Sequence, residues 1–232
     1  MLPFYGRKLS RKTKNFDVNE LKRFKYFFDE GNFEKVKKER RLTFLKKNLE
    51  IGFGSGENVL FQSLRKKDEV FLACDPFISG SEKLKKKIDE LGADNLYFTD
   101  LDFYKLHNLI KTFIFKRIFI LFPDPWPKKK HKKRRLINND FVDTLSAMSS
   151  KDTQVVVATD HEGYSTQVIK SFLKDRKFKL ALHKINQLVL NDLEIYPTKY
   201  FMKARNEKKN SKLFSFQKIK FQKKFIKLFK FS

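Results

Sequence analysis

Apolar residues fall in short runs that alternate with longer stretches of helical period. The runs Leu49 to Gly52, Val70 to Cys74, Asn95 to Phe98, Arg117 to Phe122 and Gln154 to Thr159 have strand length and composition. Between them, Glu57 to Arg65, Ser81 to Leu91, Phe103 to Lys111, Leu136 to Met148 and Gly163 to Lys174 carry apolar residues at helix spacing. Ile137, Phe141, Leu145 and Met148 illustrate the rule, because offsets of four, eight and eleven put them on one helix face. Repeated strand and helix units predict an α/β fold: a mainly parallel sheet covered by helices on both faces. Two more strands, Lys179 to Ile185 and Leu213 to Phe221, complete the sheet, and their short connections predict an antiparallel ending.

Both ends depart from this pattern. The predicted organisation is a basic N-terminal arm over residues 1–40, a sheet domain over 41–221 and a basic, aromatic extension over 222–232. Within the arm, the acidic and aromatic stretch Glu20 to Phe33 reads as a helix or an ordered arm. The last residues, FQKKFIKLFKFS, place Phe221, Phe225, Leu228 and Phe229 at helical spacing among lysines. Two readings stay open there, a helix for RNA or a membrane surface and a segment packing its phenylalanines onto the sheet.

Charge changes the picture most. Lys and Arg number 52 against 27 Asp and Glu, a formal net charge of +25. Removing the seven basic residues of Lys128 to Arg135 still leaves +18, so the field is spread over the molecule and favours a polyanionic partner. The single cysteine, Cys74, rules out an intrachain disulfide and reads as a cytosolic protein. The longest apolar run, Phe113 to Phe122, is broken by Lys116 and Arg117, so no membrane span is expected. His107, His131, His161 and His183 lack metal-ligand spacing, and no zinc site is expected. Nothing calls for an obligate protein partner, and a monomer or homodimer is expected.

Residues 48–58 read NLEIGFGSGEN, a strand followed by Gly52, Gly54 and Gly56 and then a helix. Open α/β sheets receive adenosine-containing cofactors at such a loop, at the carboxyl ends of their strands. The spacing is one residue tighter than the dinucleotide fingerprint. Glu50 would repel a pyrophosphate but suits the cationic amino-acid part of S-adenosylmethionine. Asp75 ends the second predicted strand, where an acid accepts hydrogen bonds from ribose hydroxyls, and Asp100 follows the third, in a place to meet adenine.

After the fourth strand comes FPDPWPKKKHKKRR, Phe122 to Arg135. Two prolines fix the backbone around Asp124, which therefore holds its carboxylate in one orientation at the edge that also carries the glycine loop. This block, with LEIGFGSG upstream and ATDHEGY and YPTKYF downstream, resembles the bacterial tRNA (guanine-N7)-methyltransferases over most of the chain. The resemblance implies a seven-stranded class I methyltransferase fold with its last strand antiparallel. It implies transfer of a methyl group from S-adenosylmethionine to the variable-loop guanosine of tRNA, position 46. Position by position, it implies that Glu50, Asp75, Asp100 and Asp124 contact the cofactor, with Asp124 also catalytic. Lys128, Asp160, Thr198 and Lys199 match substrate contacts, and Lys130, His131, Lys132, Lys133, Arg134 and Arg135 match the RNA-contacting segment.

Thr198 opens a Thr-x-Tyr/Phe-Glu motif that helps hold the target guanine, but here its final Glu is replaced by Phe201. Either a neighbouring acid such as Glu207 substitutes or guanine binding is weakened. Trp126 reads as a stacking surface for a base or as an indole supporting the turn. Two other classes compete with the leading one: a nucleotide-dependent oxidoreductase on the same sheet topology, and a catalytically weak tRNA-binding relative. The chemistry fits the residues independently. Guanine N7 carries a free lone pair, so no base need remove a proton first, and a fixed carboxylate stabilises the positive charge that moves onto the ring.

Overall fold

The computed structural model describes residues 18–40, 42, 45–183, 190, 193–207 and 209–219. The N-terminal stretch MLPFYGRKLSRKTKNF, the ends of the last two predicted strands and the extension 222–232 lie outside the described residues.

Seven strands form one sheet in the order β3-β2-β1-β4-β5-β7-β6. They are β1 (Lys46–Ile51), β2 (Glu69–Cys74), β3 (Leu96–Thr99), β4 (Phe115–Leu121), β5 (Ser149–Thr159), β6 (Phe178–His183) and β7 (Lys212–Lys218). Strands β1 to β5 pair in parallel, and β7 runs antiparallel to both β5 and β6. The helices are α1 (Val18–Lys22), α2 (Phe33–Glu39), α3 (Glu57–Arg65), α4 (Ile78–Leu91), α5 (Phe103–Leu109), α6 (Asn139–Ala147), α7 (Glu162–Leu173) and α8 (Lys199–Asn206).

The antiparallel ending expected from sequence is present, but not through a short link. Strand β6 ends at His183 and β7 begins at Lys212, with α8 between them. The reversal comes instead from β7 inserting between β5 and β6.

Alternate side chains of the central strands go to opposite faces, as the strand period of two requires. Ile118, Ile120, Val155 and Val157 join the large core with Leu84, Phe141 and Val168 from α4, α6 and α7. Phe119, Leu121, Val156 and Ala158 face the other way, into a smaller cluster closed by Leu190, Ile195, Phe201 and Leu213.

The stretch expected as part of an arm packs into the large core. Leu21, Phe27, Phe28 and Phe33 are all buried there. Phe28 N–H donates to the Phe98 carbonyl at 3.0 Å, and Phe98 N–H donates to the Tyr26 carbonyl at 3.0 Å. Residues 26–28 therefore cover the outer edge of β3, where unpaired backbone groups would otherwise face water. The aromatic run Tyr26, Phe27 and Phe28 accounts for it, since that much apolar surface is stable only when buried.

Strand β1 lies between β2 and β4, so the loops that leave β1 and β4 diverge to opposite sides. This is the topological switch point, the crevice where open α/β sheets bind ligands. The glycine loop follows β1 and the proline-flanked Asp124 follows β4. Among the described residues, no helix is long and apolar enough to cross a membrane.

Candidate functional site

Glu50 is the penultimate residue of β1 and is 2% exposed. Its Oε2 accepts a 2.8 Å hydrogen bond from Asn58 Nδ2. Burial drives its pKa up to about 8, against the partial offset of that hydrogen bond, and the nearby charges of Asp75 and Glu57 add to the rise. A carboxyl group held this way is largely neutral at neutral pH and ionises when a cation docks beside it.

Gly52, Gly54 and Gly56 all have positive φ, at 78°, 58° and 74°. That conformation strains other residues and leaves bare backbone exposed on the loop. The loop is also tightly backed. A Cβ on Gly56 would sit 2.5 Å from Leu84 Cδ1, and one on Gly80 in α4 would sit 1.9 Å from the Gly54 carbonyl oxygen. Gly80 thus lets α4 approach the loop, a role that appears only when helix and loop meet in space.

Asp75, at the end of β2, accepts from Gly54 N–H at 2.7 Å and from Phe77 N–H at 2.9 Å. Burial raises its pKa, the two backbone hydrogen bonds oppose the rise, and the Asp124 charge adds to it. Asp75 and Asp124 therefore share one electrostatic neighbourhood. Asp100 follows β3 and is half-buried.

Phe122 and Trp126 bracket the turn that presents Asp124, and both have positive φ, 54° and 39°. For residues with a Cβ this costs of order 1–3 kcal/mol each and persists only where the surroundings enforce it. The enforcing group is Arg135. Its Nε donates to the Pro125 carbonyl at 2.8 Å, and its Nη1 donates to the Gly163 carbonyl at 3.0 Å and Gln167 Oε1 at 2.9 Å. Its guanidinium lies 4.9 Å from the centre of the Tyr164 ring.

Arg135, expected in the RNA-contacting segment, is only 1% exposed. It is a buttress that ties the Asp124 turn to α7. Trp126 is likewise held between His131, edge-on at 5.8 Å, and Arg134 at 5.0 Å.

The rest of the basic run, Lys129–Arg134, forms a 3-10 helix. Lys128, Lys130, Lys132 and Lys133 are exposed on it or beside it. Burial and the charges of Arg134, Lys130 and Lys128 lower the pKa of His131, so at neutral pH it is the uncharged member of the run.

A segment from Leu193 to Phe201 crosses the start of α3 and brings further groups to the same edge. Tyr196 N–H donates to Asn58 Oδ1 at 3.1 Å, and Lys199 N–H donates to Glu57 Oε2 at 3.0 Å. Lys199 Nζ, expected as a substrate contact, reaches Ser55 Oγ of the glycine loop at 2.6 Å. Glu194 anchors the segment through Lys66 at 2.5 Å and Arg117 at 3.3 Å.

Tyr200 lies over the loop. A Cβ on Gly54 would meet its Cε2 at 3.7 Å, and its ring stacks near Phe122, 6.2 Å away at 24°. Burial raises the Tyr200 pKa, with the charges of Asp75, Asp124 and Glu57 adding to the rise. Sequence reasoning missed Asn58, Gly80 and Tyr200. The only signal for Tyr200 was its place inside the Thr198 motif.

Thr198 is 7% exposed, and its Oγ1 meets no hydrogen-bond partner among the described residues. A buried unpaired hydroxyl costs about 1–3 kcal/mol unless a ligand satisfies it. Thr198→Val should therefore leave the melting temperature unchanged or slightly raised, while raising the KM for RNA about fivefold to tenfold. Thermal unfolding and steady-state kinetics check both parts.

Phe201 does not point into the crevice. It is 6% exposed and meets Phe122 edge-on at 4.6 Å within the smaller apolar cluster. Glu207 carries ion pairs to Lys209 at 2.6 Å and Lys203 at 3.7 Å, so it is already committed to cations rather than free to take the missing Glu's place. Lys209 also reaches Asp160, which follows β5, at 3.6 Å. Phe201→Glu, which restores the family residue in sequence, should cost on the order of 3–5 kcal/mol by burying an unpaired carboxylate and losing the ring's packing. A fall in melting temperature on the order of 10 °C would register it.

The family model described as a putative methyltransferase matches residues 45–214. The tRNA (guanine-N(7)-)-methyltransferase of Wolbachia pipientis wMel is 32% identical over 202 residues, covering 85% of each chain. The enzyme of the same name from Neorickettsia sennetsu is 32% identical over 171 residues, covering 73% of this chain and 74% of its own. Among solved structures, an antibiotic-related methyltransferase superposes with a TM-score of 0.57 at 18% identity, covering 80% of this chain and 94% of its own, a likeness of fold alone.

Proposed function

Since the chain belongs to the family of tRNA (guanine-N7)-methyltransferases, we propose that the crevice between the glycine loop and the Asp124 turn methylates N7 of the variable-loop guanosine of tRNA, position 46. S-adenosylmethionine is the methyl donor. The observation that carries the assignment is the convergence of Glu50, Asp75 and Asp124 on one edge, with Tyr200 over the loop and the exposed lysines beside the turn.

The residues present fit the cofactor. Glu50, buried and poised near pH 8, pairs with its ammonium group. Asp75 keeps acceptor capacity for ribose hydroxyls beyond its two backbone hydrogen bonds. Asp100 lies at the next strand end, on the adenine side, and the bare loop of Gly52, Gly54 and Gly56 admits close approach. The bound cofactor supplies an electrophilic methyl group on a sulfonium centre.

The chain's remaining residues position the acceptor. Guanine N7 offers a lone pair, so the site needs no general base, and Asp124 stabilises the positive charge that develops on the ring. Arg135 fixes the turn that carries Asp124. The Thr198 hydroxyl takes a guanine polar group as its missing partner. Lys128, Lys130, Lys132 and Lys133 hold backbone phosphates and keep the RNA in register.

The test is a tRNA transcript carrying 7-deazaguanosine at position 46, which has no N7 to accept a methyl group. Label should enter the ordinary transcript and not the substituted one. Equal labelling of both would sink the assignment of that nucleoside.

A further inference from the structure

Beside the basic turn, a hollow of about 630 Å³ lies between the turn and α7. Lys132 forms one wall, Lys170 and Lys174 the other, and Asn139 and Thr166 add polar groups. Among the described residues, no Asp or Glu lines it. Of the acids near these residues in sequence, Glu162 pairs with Lys212 at 2.6 Å and Asp143 with Lys177 at 2.5 Å, while Asp140 and Asp175 adjoin Asn139 and Lys174 without lining the hollow.

Helix geometry explains why these groups meet. Gly163, Thr166, Gln167, Lys170 and Lys174 recur at spacings of three and four, which is one face of α7 and its C-terminal cap. The opposite face, with Tyr164, Val168 and Phe172, is buried in the core. In the 3-10 turn the period is three, so Lys132 falls on the same side as Arg135.

Arg135 also lines the hollow. Its Nε and Nη1 are satisfied, while its Nη2 is buried and has no partner among the described residues. A fixed buried cation with an unfilled donor thus lies under a groove ringed by three exposed lysines. This arrangement is costly without an anion and favourable with one.

We propose that this groove is a second RNA-binding site, which takes a phosphodiester of the tRNA backbone and so extends the track of the basic turn onto α7. It rests on the tRNA reading above. Continuity selects the occupant, because Lys132 and Arg135 belong to both the turn and the groove, so an RNA strand held by the turn runs straight into it. Because Arg135 also fixes the Asp124 turn, a phosphate here would steady the arm that carries the catalytic carboxylate.

The test compares the wild-type chain with the double variant Lys170→Glu, Lys174→Glu by filter binding of tRNA over a range of salt. The expected result is a dissociation constant raised about tenfold and a slope of log K against log salt flattened by about one to two units. Cofactor affinity by calorimetry should not move, which reports an intact fold. A change in tRNA affinity of less than twofold would overturn the proposal, as would loss of pyrophosphate binding without loss of tRNA binding, which would mark a small-anion site.

A second arm tethers an iron chelate at Lys170→Cys. Cys74 is buried and its thiol pKa is pushed up by burial, so only the introduced cysteine takes the label. Strand scission of bound tRNA near the tether supports the groove, and no scission contradicts it. Binding is read separately from methyl transfer, so wild-type protein that binds tRNA without methylating it removes the proposed function and leaves the groove standing. Protein that binds no tRNA removes both.

Discussion

Asp124→Ala should lower the rate of methyl transfer at saturating substrates by about a hundredfold to a thousandfold, the usual scale for removing a fixed group that stabilises charge in a transition state. Stability should change by no more than about 0.5 kcal/mol, because Asp124 is exposed and among the described residues carries no structural hydrogen bond in the turn. The turn is held by the flanking prolines and by Arg135 instead. Asp124→Asn refines the test, since it keeps the shape and removes only the charge. If charge matters, the two variants should lose similar amounts. Single-turnover kinetics read the step directly, and a loss confined to the KM of RNA would make Asp124 a binding group only.

Glu50→Gln should separate stability from function. The folded pKa of Glu50, about 8, lies above its ordinary value of 4.5. The stability that the neutral acid contributes is therefore fully present below about pH 4.5 and is lost as pH rises through 8. Removing the ionisable group removes that loss. The Gln variant without cofactor should match the wild type near pH 5 and melt higher at pH 9, by several degrees for a difference of a few kcal/mol. Its cofactor affinity should fall by about thirtyfold or more, because an ammonium group would lose its charged partner in a buried site.

The same pKa predicts the pH dependence of binding. Below pH 8, Glu50 must release a proton to pair with the cofactor, so wild-type affinity should climb from pH 6 toward 8 and the Gln variant should lack that climb. Calorimetry in buffers of different ionisation enthalpy counts the proton released. An unchanged proton count in the variant would remove Glu50 from the account.

The placement of the candidate residues at one sheet edge was legible because strand ends are readable from short apolar runs. Asp75, Asp100 and Asp124 each follow such a run, Glu50 lies near the end of the first one, and the three glycines mark the loop between the first strand and its helix. What escaped reading depends on contacts distant in sequence. Tyr200 matters because the segment after Leu193 folds across α3, and Gly80 matters because α4 presses against a loop some twenty-six positions earlier. Neither approach has a periodic signature.

Two misreadings have the same cause. Arg135 looks like one more cation in a basic run, yet the Pro125 carbonyl and Gln167 claim its guanidinium. Phe201 looks like a damaged guanine contact, yet its ring closes an apolar cluster that the strand period had left open on the far face of β4 and β5. Residue type and position are visible in a sequence, but which neighbour has claimed a side chain is not. The N-terminal aromatic stretch shows this from the other side, because its phenylalanines read as an arm until the uncovered edge of β3 gives them somewhere to go.

The most direct measurement is to incubate the wild-type chain and Asp124→Ala with unmodified tRNA and methyl-labelled S-adenosylmethionine, digest the RNA and identify the labelled nucleoside. The account predicts 7-methylguanosine from the wild type and at most about one hundredth as much from the variant in the same time. Label in any other nucleoside, or equal 7-methylguanosine from both proteins, would contradict it.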